Sequence, residues 1–382
     1  MKRNLLFPLA LLLLLAILLA LAVYLPIPVT PYMDFQVIYI ADKGILNGIP
    51  LYDRAGQLAW VARESGRSAE SLFILPFPYP PWYAVATLPI AFLPIDAAAR
   101  MWFLLNIVML LASAWLFTDG WESRRRLLSF IAVFAVLPVL GALIVGQYVF
   151  PALLGMALIV HGLRRERTGF LAIGMGLVTF KPHIGIFALA ATLLGLLARR
   201  DAFGRKSFAW TAVAGVILFL TGFFADQAWP IAYLRSLFDF RNVSECEICV
   251  SLPLTIGKIF GLGFDQSAPT AAILLGLAIA LFAAARSRLG GEASLAFFAC
   301  VPLLVNPYLL NYDFSFMLVP LFFLAGNATS KMDWLWIAAL IILPWAGLLT
   351  FQRAGNPVLI FCALAAACIV LTRIYKGNTI AS

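Results

Sequence analysis

Uninterrupted apolar runs are the feature of this sequence that most limits how the chain can fold. The run from Leu9 to Ala22 contains no polar residue, and long apolar runs recur along the chain. Lipid offers no partner to backbone N–H and C=O groups, so a spanning segment must be a helix or part of a closed barrel. Barrel strands would alternate apolar and polar residues, which these runs do not. We therefore expect an all-α polytopic membrane protein, a single integral membrane domain over residues 1–382 with about 12–13 transmembrane or partly crossing helices.

The composition agrees with a membrane protein and indicates which partners the chain binds. The chain is 63% hydrophobic and 12% charged, with a mean hydropathy of +0.97, against about 45–50% apolar and 25% charged in soluble domains. The formal net charge of +9 could suit nucleic acid, but most Lys and Arg residues lie in short clusters between apolar spans. That arrangement is typical of cytoplasmic loops, so we expect membrane lipid and not nucleic acid as a partner. The clusters are Lys2–Arg3, Arg124–Arg126, Arg164–Arg167, Arg199–Lys206, Arg286–Arg288, Lys331 and Arg373–Lys376.

The first apolar stretch, Leu5–Leu25, is interpreted as an uncleaved helix. The tripeptide Ala20–Ala22 resembles a signal-peptide cleavage site, but the stretch exceeds the roughly 7–15 apolar residues usual in signal peptides. This interpretation places both termini on the cytoplasmic side of a bacterial plasma membrane. External loops are then expected at residues 26–78 and 225–268.

Two segments depart from a simple span. Pro80–Leu93 is short and rich in proline, and it is interpreted as a half-crossing piece attached to the first external loop. Gly169–Leu197 is interrupted by Lys181 and Pro182 and has arginines at both ends. Each half is short of the roughly 20 residues that cross a bilayer. The favoured interpretation is a helical hairpin with Lys181 at its apex, and a single long kinked helix is the alternative.

The cysteines indicate a disulfide more than a metal site. Cys246 and Cys249 form CEIC in the second external loop, where a disulfide is plausible. A zinc site would need further ligands nearby, and the only histidines are His161 and His183. We therefore expect no metal site.

Asp34, in the first external loop, is the leading candidate for a general base. A carboxylate there could take the proton from an acceptor hydroxyl during attack, whereas the alternative is an ordinary loop acid or helix cap. Asp42, Asp53 and Asp313 are competing carboxylates, and position alone does not rank them.

Lys181 is the most unexpected cation in the chain, because it lies midway through an apolar stretch. It could offset the charge of a lipid-linked phosphate leaving group, or it could be a lysine whose charged end reaches the membrane surface from a hairpin tip. His183 could assist as a second phosphate donor, although a lone histidine near a helix break is more often structural.

Polar and aromatic residues also gather at the expected external ends of two spans. They are Gln147 with Tyr148, and the later run Asn306-Pro307-Tyr308 with Asn311-Tyr312-Asp313. Such groups could bind a sugar through hydrogen bonds and ring stacking, or they could form an aromatic belt with helix caps.

Five segments in order resemble glycosyltransferase family 87, within the GT-C superfamily. They are DFQVIYIADKGILNGIPLYD, FPYPPWYAVATLPIAFLP, the GQ of IVGQYVF, GMGLVTFKPH and NPYLLNYDF, over residues 30 to 325. The resemblance implies a GT-C fold and a polyprenyl-phosphate hexose, typically mannose, as donor substrate on the external face. It maps the catalytic base onto Asp34 and a donor-phosphate contact onto Lys181. Some relatives have a histidine in the last motif, where this chain has Asn306, Tyr308 and Asp313.

The expected reaction is a single displacement of the lipid phosphate by an acceptor hydroxyl on a lipid or glycan. No cofactor is required, and no acidic cluster demands a divalent ion. A transporter or flippase remains the alternative, and an inactive assembly partner is a third interpretation. The substrate-binding candidates are Lys181, His183, Gln147, Tyr52, Asn306, Tyr308 and Asp313.

Overall fold

The computed structural model describes residues 34–243, 249–261, 267–285, 291–351 and 355–377, together with Ala16 and Ala20. All regular structure in these ranges is helical. Short 3₁₀ segments lie at Ala69–Ser71, Leu88–Phe92, Val133–Ala135 and Asn311–Met317. The α-helices are α1 Asp34–Leu46, α2 Arg54–Ser65, α3 Pro81–Thr87, α4 Ile95–Phe117, α5 Ser123–Ala132, α6 Leu137–Val145, α7 Val149–Arg164, α8 Thr168–Val178, α9 Pro182–Ala198, α10 Ala202–Ala225, α11 Trp229–Val243, α12 Leu252–Ile259, α13 Ser267–Ala285, α14 Gly291–Val305, α15 Leu318–Gly326, α16 Lys331–Phe351 and α17 Val358–Gly377.

The predicted all-α membrane architecture is confirmed. Among the described residues, Ile95–Phe117, Ala202–Ala225 and Lys331–Thr350 are long and apolar enough to cross a bilayer by themselves. The remaining apolar helices of 10–17 residues are shorter than a full span. Gln147 and Lys181 lie at junctions between such short helices, after α6 and before α9.

The helices run between two chemically different ends. At one end, Arg164 donates to the carbonyl of Phe117 at 2.8 Å and Arg165 donates to Asp119 at 2.7 Å. Arg126 donates to the carbonyl of Thr118 at 2.9 Å. We call this the arginine end. The opposite end, where α6 ends, α7 and α9 begin and α14 ends, is called the polar end.

The expected hairpin around Lys181 is present. Arg199, after α9, donates to Glu166, before α8, at 2.7 Å. These two residues are adjacent only if α8 and α9 run antiparallel, since a continuous helix would separate them by about 1.5 Å per residue. The kinked single helix is therefore excluded, and Lys181 sits at the apex, at the polar end.

The apolar stretch Leu127–Val145 is interrupted by a bend. Ser123–Ala135 and Leu137–Val145 meet at an angle of 63°. The break falls at Val136, which has an extended backbone (ψ 107°). Pro138 has no N–H to donate to the Phe134 carbonyl, which weakens a continuous helix through this point. Pro81–Phe92 is also short, with 12 residues in two pieces.

A second, smaller apolar cluster packs α1 and α3 against the bundle. Phe35 and Ile38 of α1 pack with Tyr83 of α3 and with Trp102 of α4. These side chains are almost completely buried. Burial of aromatic and branched side chains therefore sets the orientation of α1, which begins at Asp34.

The segment expected to form the second external loop is only partly described. Cys249 is disulfide-bonded, and Cys246 lies outside the described residues. Cys300 and Cys362 are free and buried, as small apolar side chains within helices usually are, whereas Cys368 is free and exposed.

The hairpin apex depends on the lack of a side chain at Gly185. Its N–H donates to the carbonyl of Lys181 at 2.7 Å, and a Cβ there would overlap the Val178 carbonyl. We expect Gly185→Ala to lower the free energy of unfolding by about 1–3 kcal/mol through overpacking. The melting temperature should fall accordingly. Gly195→Ala, on the same helix with open space around it, should be neutral or stabilising, since alanine favours helices. Thermal unfolding in detergent measures both, and equal effects would contradict this packing.

Candidate active site

Four polar side chains from distant parts of the chain form one connected network at the polar end. Gln147 donates from Nε2 to Oδ2 of Asp34 at 2.8 Å. Lys181 donates from Nζ to Oε1 of the same glutamine at 3.1 Å. Nζ also lies 2.6 Å from Oδ1 of Asp313. The network therefore joins the start of α1, the α6–α7 junction, the hairpin apex and the 3₁₀ segment after α14.

The position of Gln147 follows from the way α6 ends. Gly146 closes the helix in the left-handed conformation, with φ 69°, which glycine adopts without strain. Trp102 donates from Nε1 to the carbonyl of Gly146 at 2.8 Å, and Asn106 donates to the carbonyl of Gln147 at 3.2 Å. Both anchoring residues lie on α4, so a membrane helix fixes the backbone that carries the amide.

Lys181 is 1% exposed and Asp313 is 2% exposed. A buried ammonium is costly unless it is paired and hydrogen-bonded. The aspartate supplies the opposite charge, and the amide oxygen of Gln147 accepts a second N–H. Two aromatic rings complete the surroundings, with Nζ 5.6 Å from the ring centre of Tyr148 and 4.9 Å from that of Tyr312. Such cation–π contacts stabilise a cation that has lost water.

Asp313 is oriented by the first turn of the 3₁₀ segment Asn311–Met317, of which it is the third residue. Its Oδ2 accepts the N–H of Leu310 at 2.8 Å, which leaves Oδ1 toward Lys181. His183 Nε2 lies 4.0 Å from the same Oδ1 and has no hydrogen-bond partner among the described residues. Asn306 donates to the carbonyl of His183 at 3.4 Å and accepts the N–H of Tyr308 at 2.9 Å. The late polar motif and the hairpin apex are therefore one site.

Asp34 lies on α1, outside the candidate membrane spans. Burial raises the pKa of its carboxyl group to about 6. The hydrogen bond from Gln147, the charge of Lys181 and a hydrogen bond from Tyr312 lower this pKa, while the charge of Asp313 raises it. A carboxylate with a pKa near neutrality accepts a proton more readily than an ordinary aspartate does. This environment suits a general base.

The competing acids Asp42 and Asp53 have other surroundings. Asp53 caps α2, accepting the N–H of Gly56 at 3.0 Å. Asp42 is 1% exposed, and burial raises its pKa well above the usual value, while a hydrogen bond with Thr87 lowers it. Neither acid belongs to the network around Lys181.

Tyr52 does not contact the network directly and is separated from it by Tyr79 and Tyr148. Its hydroxyl donates to the carbonyl of Tyr79 at 2.7 Å, and the ring of Tyr79 packs on Tyr148 at 4.1 Å. The anchoring residues Trp102 and Asn106 were missed from the sequence. Asn106 carried a usable signal, since it is an uncharged polar residue in the middle of an apolar helix.

Among the described residues, no group of three or more His, Cys, Asp or Glu side chains could hold a metal ion. The polar atoms at this end are instead arranged as hydrogen-bond donors and acceptors around one lysine.

The fold and this site define a polytopic membrane protein with a connected polar centre at one end of its helices. A family model described as Glycosyltransferase family 87 matches residues 77–310. The chain belongs to this family, so the predicted resemblance is confirmed and the protein is a membrane glycosyltransferase. No curated protein matches the chain. The matched range includes Gln147 and Lys181, whereas Asp34 and Asp313 lie outside it and are connected to the range by the contacts above.

The ion pair between Lys181 and Asp313 leads to a prediction about stability. Lys181→Met leaves a buried carboxylate and Asp313→Asn leaves a buried ammonium, so each change should cost about 3–5 kcal/mol. The double variant removes both charges and should recover much of the loss. Thermal unfolding in detergent of the native protein, the two single variants and the double variant gives the coupling free energy between Lys181 and Asp313. Stability losses that simply add in the double variant would contradict a direct ion pair.

Proposed function

We propose that this glycosyltransferase moves a hexose, mannose by the family resemblance, from a polyprenyl-phosphate donor to a hydroxyl of a lipid or glycan acceptor. The observation that carries the proposal is the single network joining Asp34 to Lys181 through Gln147. It brings a candidate base and a candidate phosphate contact to the same end of the helices, and a transfer reaction needs both.

Asp34 takes the proton of the acceptor hydroxyl in this mechanism, and the acceptor oxygen attacks the anomeric carbon of the hexose. The bond between that carbon and the phosphate oxygen breaks at the same time. The polyprenyl phosphate leaves as a phosphate monoester, and the proton stays on Asp34 until solvent removes it. A phosphate monoester is a good leaving group, so no general acid is needed.

Lys181 stabilises the negative charge that develops on the departing phosphate. Lys181 donates one of its three N–H groups to Gln147 and its charge is paired with Asp313, which leaves a donor for a phosphate oxygen. His183 offers a second contact through Nε2, which has no partner within the described structure. Asn306 and Tyr308 support the same wall, and Tyr52 holds the aromatic layer behind it.

The distribution of arginines between the two ends of the helices supports an active site on the outer face of the membrane. The arginine end is assigned to the cytoplasm by the positive-inside rule, so the polar end faces outward from a bacterial plasma membrane. The donor and the acceptor then meet at the outer surface, with the polyprenyl chain in the lipid.

The test is a transfer assay with purified protein in lipid, radiolabelled polyprenyl-phosphate mannose and a host extract of lipids and glycans. Asp34→Asn should lower transfer by about 10²–10⁴-fold, the usual contribution of a positioned base, while donor binding survives. Asp53→Asn is the matched control, because it removes a carboxylate from the same external segment and asparagine caps helices well.

Near-normal transfer by Asp34→Asn would remove Asp34 as the base. Labelled lipid that is bound or moved across the bilayer, with no transfer by the native protein, would favour a flippase instead.

A further inference from the structure

Arg125 is a half-buried arginine with two unpartnered nitrogen atoms, at the arginine end and far from the proposed active site. Its Nε and Nη2 atoms are buried and have no hydrogen-bond partner within the described part of the chain. Its guanidinium group lies between two indole rings, 4.5 Å from the ring centre of Trp121 and 5.3 Å from that of Trp334. The indoles stabilise the charge but satisfy neither N–H group.

Neighbouring arginines show what this pair of atoms normally binds. Nε and Nη2 form a planar fork that matches two oxygens of a carboxylate or phosphate. Arg164 directs this fork at Glu292, and Arg165 directs it at Asp119. Arg126 uses the same two atoms on the Thr118 carbonyl. The Nε and Nη2 groups of Arg125 have no such acceptor within the described residues. They are therefore available to an oxygen acceptor from another molecule.

An apolar cavity of about 150 Å³ begins at Arg125 and extends between α5, α15 and α16. Its walls continue from Trp121 and Trp334 toward Val136 and Ile341. Val136 lies beyond the end of α5, after the 3₁₀ segment Val133–Ala135, so the cavity extends away from Arg125 along this part of the chain. The cavity wall is open beside Leu128, whose side chain is 57% exposed. The cavity has the polarity of an acyl chain and room for part of one.

The charge at the mouth of the cavity favours an anion. Arg124 and Lys331 are exposed there, and Asp333 is ion-paired with Arg373. Glu122 is an exposed acid on the same segment, so the mouth keeps an excess of positive charge. A headgroup that carries its own ammonium would lose part of the attraction.

We propose that the phosphate of an anionic phospholipid binds the fork of Arg125 and that part of one acyl chain of the same lipid lies in the cavity. Phosphate oxygens restore the two missing hydrogen bonds, and the chain covers an apolar wall that faces the membrane. This site does not rest on the proposed function, because it lies at the opposite end of the helices from Asp34.

The test measures lipid binding to the delipidated full chain in a neutral detergent. Native mass spectrometry and the melting temperature are followed during titration with dioleoylphosphatidylglycerol, dioleoylphosphatidylcholine or soluble glycerol phosphate. The phosphatidylglycerol should bind most tightly and raise the melting temperature. Arg125→Gln should weaken its binding about tenfold, as expected for loss of a bidentate, charge-assisted contact. Arg124→Gln, which removes an equal charge from the exposed neighbouring position, should have little effect.

Equal losses in the two arginine variants would overturn the proposal in favour of diffuse surface charge. Equal affinity for the two phospholipids would overturn the role of the anionic headgroup. Glycerol phosphate binding as tightly as phosphatidylglycerol would overturn the lipid site in favour of a site for a free anion. Ala132→Leu keeps Arg125 and narrows the cavity, so it should also weaken phosphatidylglycerol binding. Unchanged affinity in that variant overturns the acyl-chain site even if Arg125→Gln cannot be purified.

Discussion

The buried charge of Lys181 is the constraint on which the polar end of this protein depends. An ammonium group that is 1% exposed must have an opposite charge and hydrogen-bond acceptors close by. Asp313 and Gln147 meet that need from positions far away in the sequence. The hairpin apex, the α6–α7 junction and the segment after α14 are therefore held together by one side chain.

Asp34 is connected to this centre but is not part of the ion pair. Its carboxylate is held by the amide of Gln147, which also binds Lys181 through its oxygen. Burial and the charge of Asp313 raise the pKa of Asp34, and the amide and Lys181 oppose them, with a result of about 6. The neutral amide thus places the Asp34 carboxylate next to a cation without letting the two form a salt bridge, which would lower the pKa of the carboxylate.

Much of the fold could be predicted from the sequence, because lipid exposure demands apolar helices and arginines mark one end of them. The hairpin at Lys181 was predicted since both of its ends carry arginines. The break at Val136 was not, because a run of apolar residues conceals the effect of Pro138 on the helix. Asp53 and Asp34 looked equivalent in position, and only tertiary contacts distinguish a helix cap from a buried acid. The contact between Asp34 and Gln147 joins residues 113 positions apart, and no local pattern encodes such a pairing.

The pH dependence of hexose transfer tests most directly whether this network sets up the base. In the native protein, kcat/KM should rise about tenfold per pH unit at low pH, because the base must be deprotonated, and level off near pH 6, the pKa of Asp34. Gln147→Ala removes a hydrogen bond that lowers this pKa, so its midpoint should move to higher pH. A profile with no midpoint in this range, or one that is the same in both proteins, would contradict the account.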